Sequence, residues 1–249
     1  MNGQKQRGPG TTNGQPTNDE LPFVIALDGP AGSGKSTVGL GAAQALGLSY
    51  FDTGLLYRVL TWLALAHGVD PNDEDALARL VDEFDIDVDP VGRVLRGGAD
   101  ITDDLQQPPI DASVSAVSAH AGVRDAMRPA QRALIHPPGL VMAGRDIGTV
   151  IVPEAPLKIW LSASAEERAR RRAAQTGEAY GTVLEGIRRR DQLDASRSVA
   201  PMSRAEDAVE IDSDGRSPPE VVALIVELAQ ERGAPRAAAG RQQRRLNPD

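Results

Sequence analysis

Gly29-Pro30-Ala31-Gly32-Ser33-Gly34-Lys35-Ser36 satisfies the spacing G-x-x-x-x-G-K-[ST], whose chemistry is the holding of a nucleoside triphosphate. Glycines let the backbone curl so that successive N–H groups point at phosphate oxygens, and a helix starting behind the loop favours negative charge. In that arrangement Lys35 reaches the β- and γ-phosphates and Ser36 ligates Mg²⁺. Lysine occurs only at positions 5, 35 and 158, so chance is a poor explanation for one at this place.

Three further clusters carry groups suited to a second anion. Asp52-Thr53-Gly54 with Tyr57-Arg58 brings together a hydroxyl, an aromatic ring and a guanidinium, and Gly144-Arg145-Asp146-Ile147-Gly148-Thr149 supplies another arginine. Two arginines from separate strand ends can pair bidentately with one phosphate, a geometry lysine reproduces poorly. In Arg190-Asp191-Gln192-Leu193-Asp194-Ala195-Ser196-Arg197, positions 190, 194 and 197 share one helical face. With Arg168, Arg171 and Arg172 they bracket the connection Gln175 to Thr182, which reads as a lid of two basic helices able to exclude water. His67, His120 and His136 are dispersed and read as structural or surface residues.

The elements that must position these groups follow from the apolar pattern. Strand-like runs fall at Phe23–Leu27, Ser49–Phe51, Leu140–Ala143, Leu157–Leu161 and Ala208–Ile211, with helical segments between them, as in a parallel sheet covered on both faces. Val38–Leu48 reads as the helix behind the phosphate loop, stopping at Gly47. The long excursion from Gly54 to Gly139 holds helices near Leu55–His67, Asp73–Phe84 and Ala112–Ile135. It also holds a small antiparallel hairpin, marked by the alternation of Asp85–Asp89, then Pro90, Gly92, Arg93–Arg96 and Gly97-Gly98. An excursion of that length beside a triphosphate loop is expected to bind a second substrate beyond the carboxyl ends of the strands.

Composition narrows the function classes. At 249 residues, 41% hydrophobic and 25% charged, the chain has material for one α/β domain with small attached pieces. The absence of cysteine excludes disulfides and thiolate metal sites and fits a reducing cytosol. A formal net charge of −8 argues against nucleic acid as the main partner. No run is apolar and long enough for a membrane span, and the polar start, Met1–Glu20, has no apolar export core, so a cytoplasmic protein is expected. Both ends read as disordered, the last segment, Gly233–Asp249, carrying four Arg against one Asp. A monomer is expected.

Taken together, Asp28–Ser36, Asp52-Thr53-Gly54 with Tyr57-Arg58, Gly144–Thr149, and Arg190-Asp191 with Asp194, Arg197 and Pro201 resemble the bacterial cytidylate (CMP) kinase family, a branch of the P-loop nucleoside monophosphate kinases. The resemblance runs in order from Phe23 to Glu231; the phosphate loop alone marks a far larger superfamily. It implies a three-layer α/β fold with a five-stranded parallel sheet, an inserted monophosphate-binding subdomain and a helical lid. The implied organisation is a tail at 1–21, a kinase domain at 22–231 with the hairpin insertion at 85–110 and the lid at 166–197, and a tail at 232–249. The implied activity is ATP-dependent phosphorylation of CMP and dCMP to CDP and dCDP by in-line γ-phosphoryl transfer, with Mg²⁺ accompanying ATP.

By position, the resemblance matches Gly29, Pro30, Ala31, Gly32, Ser33, Gly34, Lys35, Ser36 and Thr37 to the ATP loop, with Ser36 on the metal. Thr53, Tyr57, Arg58, Arg145 and Arg197 match groups lining the monophosphate site, with Arg190 beside them; Ser115, Arg124 and Asp146 match groups that read cytosine, and Asp194 matches the ribose contact. Lys35, Arg58, Arg145 and Arg197 would carry catalysis through alignment and charge neutralisation. The chain departs from the family at Ala143, where an acidic residue is common, at Gln106, where arginine is usual, at Leu193 and Ala195, where some relatives carry lid arginines, and in a short lid loop. A kinase for UMP, AMP or shikimate, or a nucleotide-dependent switch without an acceptor, would share the loop but lack the Ser115, Arg124 and Asp146 set.

Overall fold

The apolar run before the phosphate loop is strand β1 (Phe23–Asp28), followed by helix α1 (Lys35–Leu46), β2 (Ser49–Asp52) and α2 (Gly54–His67). The structure, a computed structural model, describes residues 22–195 and 202–235, with the backbone alone at 193–195. The excursion after α2 holds α3 (Glu74–Leu80), the short strands β3 (Asp87–Val88), β4 (Val94–Arg96) and β5 (Ala99–Asp100), then α4 (Pro108–Val117) and α5 (Ala121–Ala133). Next come β6 (Gly139–Gly144), β7 (Leu157–Ser162), α6 (Ala165–Thr176), α7 (Tyr180–Ala195), β8 (Val209–Asp212) and α8 (Pro218–Glu231).

The main sheet has the order β2-β6-β1-β7-β8 with every pairing parallel, the five-stranded α/β architecture expected. Because successive side chains of a strand face opposite ways, the central strand must be apolar throughout. In β1, Val24 and Ala26 join Phe51, Leu140 and Met142 in the core under α2 and α5, whereas Ile25 and Leu27 join Tyr50 and Val141 under α1 and α8. The chain leaves β1 toward β2 on one side and β6 toward β7 on the other. The crevice at the carboxyl ends of β1 and β6 is therefore the topological switch point where ligands of such sheets bind.

Two local expectations need correction. The stretch Ala112–Ile135 is two helices, α4 and α5, because His120 is extended (φ −70°, ψ 130°) and tertiary partners hold the break. The His120 Nε2 atom bonds the Pro71 carbonyl, and Glu74 of α3 accepts the Gly122 N–H, a carboxylate placed at the start of α5. The insertion is a three-stranded sheet in the order β3-β4-β5, where a hairpin is expected. Gly97 and Gly98, with φ of 55° and 81°, make the two-residue turn that folds β5 back on β4, so this glycine pair starts another strand instead of ending the unit.

Packing on the α1 face leaves no room at Gly39. A Cβ there would lie 2.7 Å from Tyr50 Cε2 and 3.1 Å from Leu27 Cδ2, and on its other side the Tyr50 ring is backed by Gly92. Gly39→Ala should therefore destabilise the fold by about 1–3 kcal/mol despite the better helix propensity of alanine. A fall in Tm by calorimetry checks it; an unchanged or raised Tm would show that the ring has space to retreat.

Candidate active site

Segments at the carboxyl ends of all five strands of the main sheet meet around one cleft of about 680 Å³. Its walls include residues 31–38 of the phosphate loop and α1, Asp52–Leu55, Tyr57 and Arg58 at the end of β2 and start of α2, Gly144–Asp146 at the end of β6, Arg168, Arg171 and Arg190 from α6 and α7, and Ser213 after β8. Gly29 is required where the loop leaves β1, because a Cβ would sit 2.2 Å from the Leu161 carbonyl oxygen of β7. The loop is thus pressed onto the neighbouring strand, and α1 begins at Lys35 directly behind it.

Lys35 folds back over the loop, its Nζ donating to the carbonyl oxygens of Gly29 and Pro30 at 2.8 Å each. Its pKa is held well below the ordinary lysine value, first by burial and then by the charge of Arg145; Asp52 and Asp28 act in the opposite direction. Ser36 Oγ donates to Asp52 Oδ2 at 3.3 Å, which sets a hydroxyl beside a carboxylate at the mouth of the loop. Ala143, where the family resemblance leads to an acidic residue, lies fully buried with its side chain in the apolar core beneath α1. The carboxylate next to Ser36 is instead that of Asp52.

Across the cleft from the phosphate loop, Thr53 is fixed to the end of β6: its N–H and Oγ1 both donate to the Ala143 carbonyl, at 2.9 and 3.0 Å. Arg58 reaches across to the insertion, donating to Leu105 O at 2.8 Å and Asp111 Oδ1 at 2.6 Å. Arg124 and Asp146 form a buried ion pair, Arg124 also donating to Ser118 O at 3.0 Å and standing 5.5 Å from the centre of the Tyr57 ring. Arg145 Nη1 lies 3.3 Å from the Gly144 carbonyl oxygen.

The helices α6 and α7, expected as a lid, are tied to the phosphate loop rather than standing apart from it. Arg168 is buried and makes a two-pronged pair with Asp191 of α7, at 3.0 and 2.6 Å, while its Nη1 also donates to Ala31 O at 3.1 Å. Arg171 donates to Ser213 Oγ and O at 3.1 and 2.6 Å, and Ser213 Oγ donates to Ser33 O at 3.3 Å. The small apolar interface of α6 and α7 is centred on Ala169, Val183 and Ile187, with Ala165, Ala173 and Leu184 packed against them.

Of the residues singled out in the sequence, the cleft lining joins Ala31 to Thr37, Thr53, Tyr57, Arg58, Arg124, Arg145, Asp146 and Arg190, and Gln106 also borders it. Gly29 and Pro30 lie beneath, where their carbonyls hold Lys35. Ser115 is half-buried on α4 and does not border the cleft, whereas Ser118, one turn later, does. Arg197 and Pro201, together with the tail residues 1–21 and 236–249, lie outside the described residues, as does the side chain of Asp194. Sequence reasoning missed Ser118, Ser213 and the individual role of Asp28. Asp28 alone left a signal, as a charged residue closing an apolar strand. Among the described residues no helix is long and apolar enough to cross a membrane.

Comparison with known proteins places the chain among relatives. The family model described as cytidylate kinase matches residues 25–231. A cytidylate kinase of Mycobacterium avium is 44% identical over 218 residues, covering 84% of this chain and 96% of the relative. One of Pseudomonas fluorescens is 45% identical over 215 residues, covering 82% and 93%. A bifunctional pantoate ligase/cytidylate kinase of a Synechococcus strain is 43% identical over 220 residues; this chain spans 44% of its length.

Proposed function

Because the chain belongs to the cytidylate kinase family, we propose that it transfers the γ-phosphoryl group of ATP to CMP and dCMP, giving ADP and CDP or dCDP. The observation that best supports this reading is the buried Arg124–Asp146 pair, which borders the same cleft as Lys35 and Ser36. Cytosine offers an exocyclic amino donor beside ring acceptors. A carboxylate accepts from the first, and guanidinium or hydroxyl groups donate to the others. Uracil turns an acceptor toward the same carboxylate. Asp146, Arg124 and Ser115 or the neighbouring Ser118 would form that reading set, with Asp194 on the ribose.

The transfer needs no general base. An oxygen of the acceptor phosphate, already anionic at neutral pH, forms the new bond to the γ-phosphorus while the bond to the bridging oxygen breaks and ADP leaves with that electron pair. Lys35 exchanges its loop carbonyls for phosphate oxygens, and Arg58 exchanges Asp111. Arg145, Arg190 and Arg197 neutralise the charge spread over the transferring group. Ser36 and Asp52 supply the oxygen donors that suit Mg²⁺, a hard cation bound by one or two protein ligands together with phosphates. Such an ion, when bound, offsets phosphate charge. In this reading the enzyme is a cytoplasmic monomer with neither nucleic acid nor membrane as its partner.

A panel of CMP, dCMP, UMP, AMP and shikimate with coupled detection of ADP tests the assignment. ADP release dependent on CMP and dCMP, with UMP far behind, is expected; release driven best by another acceptor, or by none, would refute it.

A further inference from the structure

We propose that Asp28 is a positioning residue that locks the acceptor-reading segment Arg145-Asp146 to the root of the phosphate loop. The proposal rests on the CMP kinase reading of this cleft and adds a part that touches neither nucleotide. Asp28 is the last residue of β1, directly before Gly29, and its register partner on β6 is Gly144, directly before Arg145. It therefore stands at the switch point between the strands that deliver the two halves of the site.

Its two carboxylate oxygens are used separately. Oδ1 accepts the Ile147 N–H and Oδ2 the Gly148 N–H, each at 2.8 Å. These are the first two N–H groups of the π-helical turn Ile147–Ile151, donors that a turn cannot satisfy internally. Asp146 accepts from the far side of that turn, its carbonyl taking the Val150 and Ile151 N–H groups at 2.9 and 3.2 Å. The segment bearing Arg145 and Asp146 is thereby held from β6 on one side and from a capped turn on the other, the cap coming from the strand that leads into the phosphate loop.

The arrangement is expensive for the fold. Asp28 is 5% exposed, and burying an ionised carboxylate is unfavourable unless its partners are good. Burial pushes its pKa up to about 6, helped by the nearby charge of Asp146 and opposed by the two N–H groups and Lys35. Lys158 also packs on Gly148, its Cδ 3.1 Å from where a Cβ would stand. A carboxylate presents a separate acceptor oxygen to each of the two N–H groups, whereas an amide of the same shape keeps one oxygen and turns an N–H donor toward the other.

Asp28→Asn measures this directly by calorimetry with CMP and, separately, with a non-hydrolysable ATP analogue. CMP affinity should fall by about ten-fold and the CMP-over-UMP preference should shrink, while the ATP analogue binds within about two-fold of wild type, as expected for one lost hydrogen bond acting on the acceptor side. Unchanged CMP affinity, or an equal loss for both ligands that tracks a fall in Tm, would overturn the proposal. Should the variant not fold, wild-type amide resonances decide. Those of Ile147 and Gly148 should titrate with a midpoint near the Asp28 pKa, with Arg145 and Asp146 following; no shared titration would overturn it. Wild-type protein that fails to bind CMP at all would count against the kinase reading instead.

Discussion

Lys35→Ala is expected to lower kcat by about a thousand-fold while the protein stays folded, the size of loss found when a preorganised cationic or hydrogen-bonding group is removed from a transition state. The ammonium group is buried and held by two carbonyls of the loop it serves, with its pKa depressed by that burial and by Arg145. Removing it relieves a buried cation, which favours the fold, and leaves Gly29 and Pro30 carbonyls without their donor, which opposes it. Thermal stability should therefore change little. Steady-state kcat from ADP release, read beside a melting curve, checks both halves, and near-wild-type turnover would dismiss Lys35 as a catalytic group.

Asp146→Ala should have the second largest effect, and on two observables at once. The Arg124–Asp146 pair is buried on both sides, so removing the carboxylate strands a buried guanidinium and costs about 3–5 kcal/mol of stability. Loss of the acceptor for the cytosine amino group should also lower the CMP/UMP ratio of kcat/KM by at least about ten-fold. Asp146→Asn keeps the volume and separates the two effects: it retains more stability and still loses discrimination, because an amide can turn its donor toward uracil. An unchanged ratio in both variants would remove Asp146 from base reading and leave it a structural partner of Arg124.

The sheet was legible because its strands are short apolar runs closed by polar or glycine residues. β1 and β7 are recognisable from Phe23–Leu27 and Leu157–Leu161, and their observed ends extend only to Asp28 and Ser162. The phosphate loop was legible because its geometry demands glycine at fixed places. Interruption of a continuous helical pattern was not, since the break at His120 is held by Pro71 and Glu74, almost fifty positions away in sequence. The third strand of the insertion was hidden for a related reason: Ala99-Asp100 is too short to show alternation and exists only through pairing with β4.

The site divides in the same way. Lys35, Ser36, Thr53, Arg58, Arg145 and Asp146 lie no more than eight residues beyond a strand end, where position along the chain fixes position in space. What sequence does not display is which groups already hold one another. Arg168 and Arg171 read as basic residues of a lid, and in the fold they are committed to Asp191, the Ala31 carbonyl and Ser213. Ser115 is matched by the family resemblance alone, and the residue of α4's end that borders the cleft is Ser118. The role of Asp28 depends on N–H groups about 120 positions away, beyond the reach of any local pattern.

The central claim is that one cleft holds two anions so that phosphorus passes between them. Incubation of the enzyme with ATP labelled in its γ-phosphorus, in the presence of CMP, tests this by following where the label goes. The account predicts label in the β-position of CDP, with little inorganic phosphate formed; label appearing only as inorganic phosphate, at a rate indifferent to CMP, would contradict it.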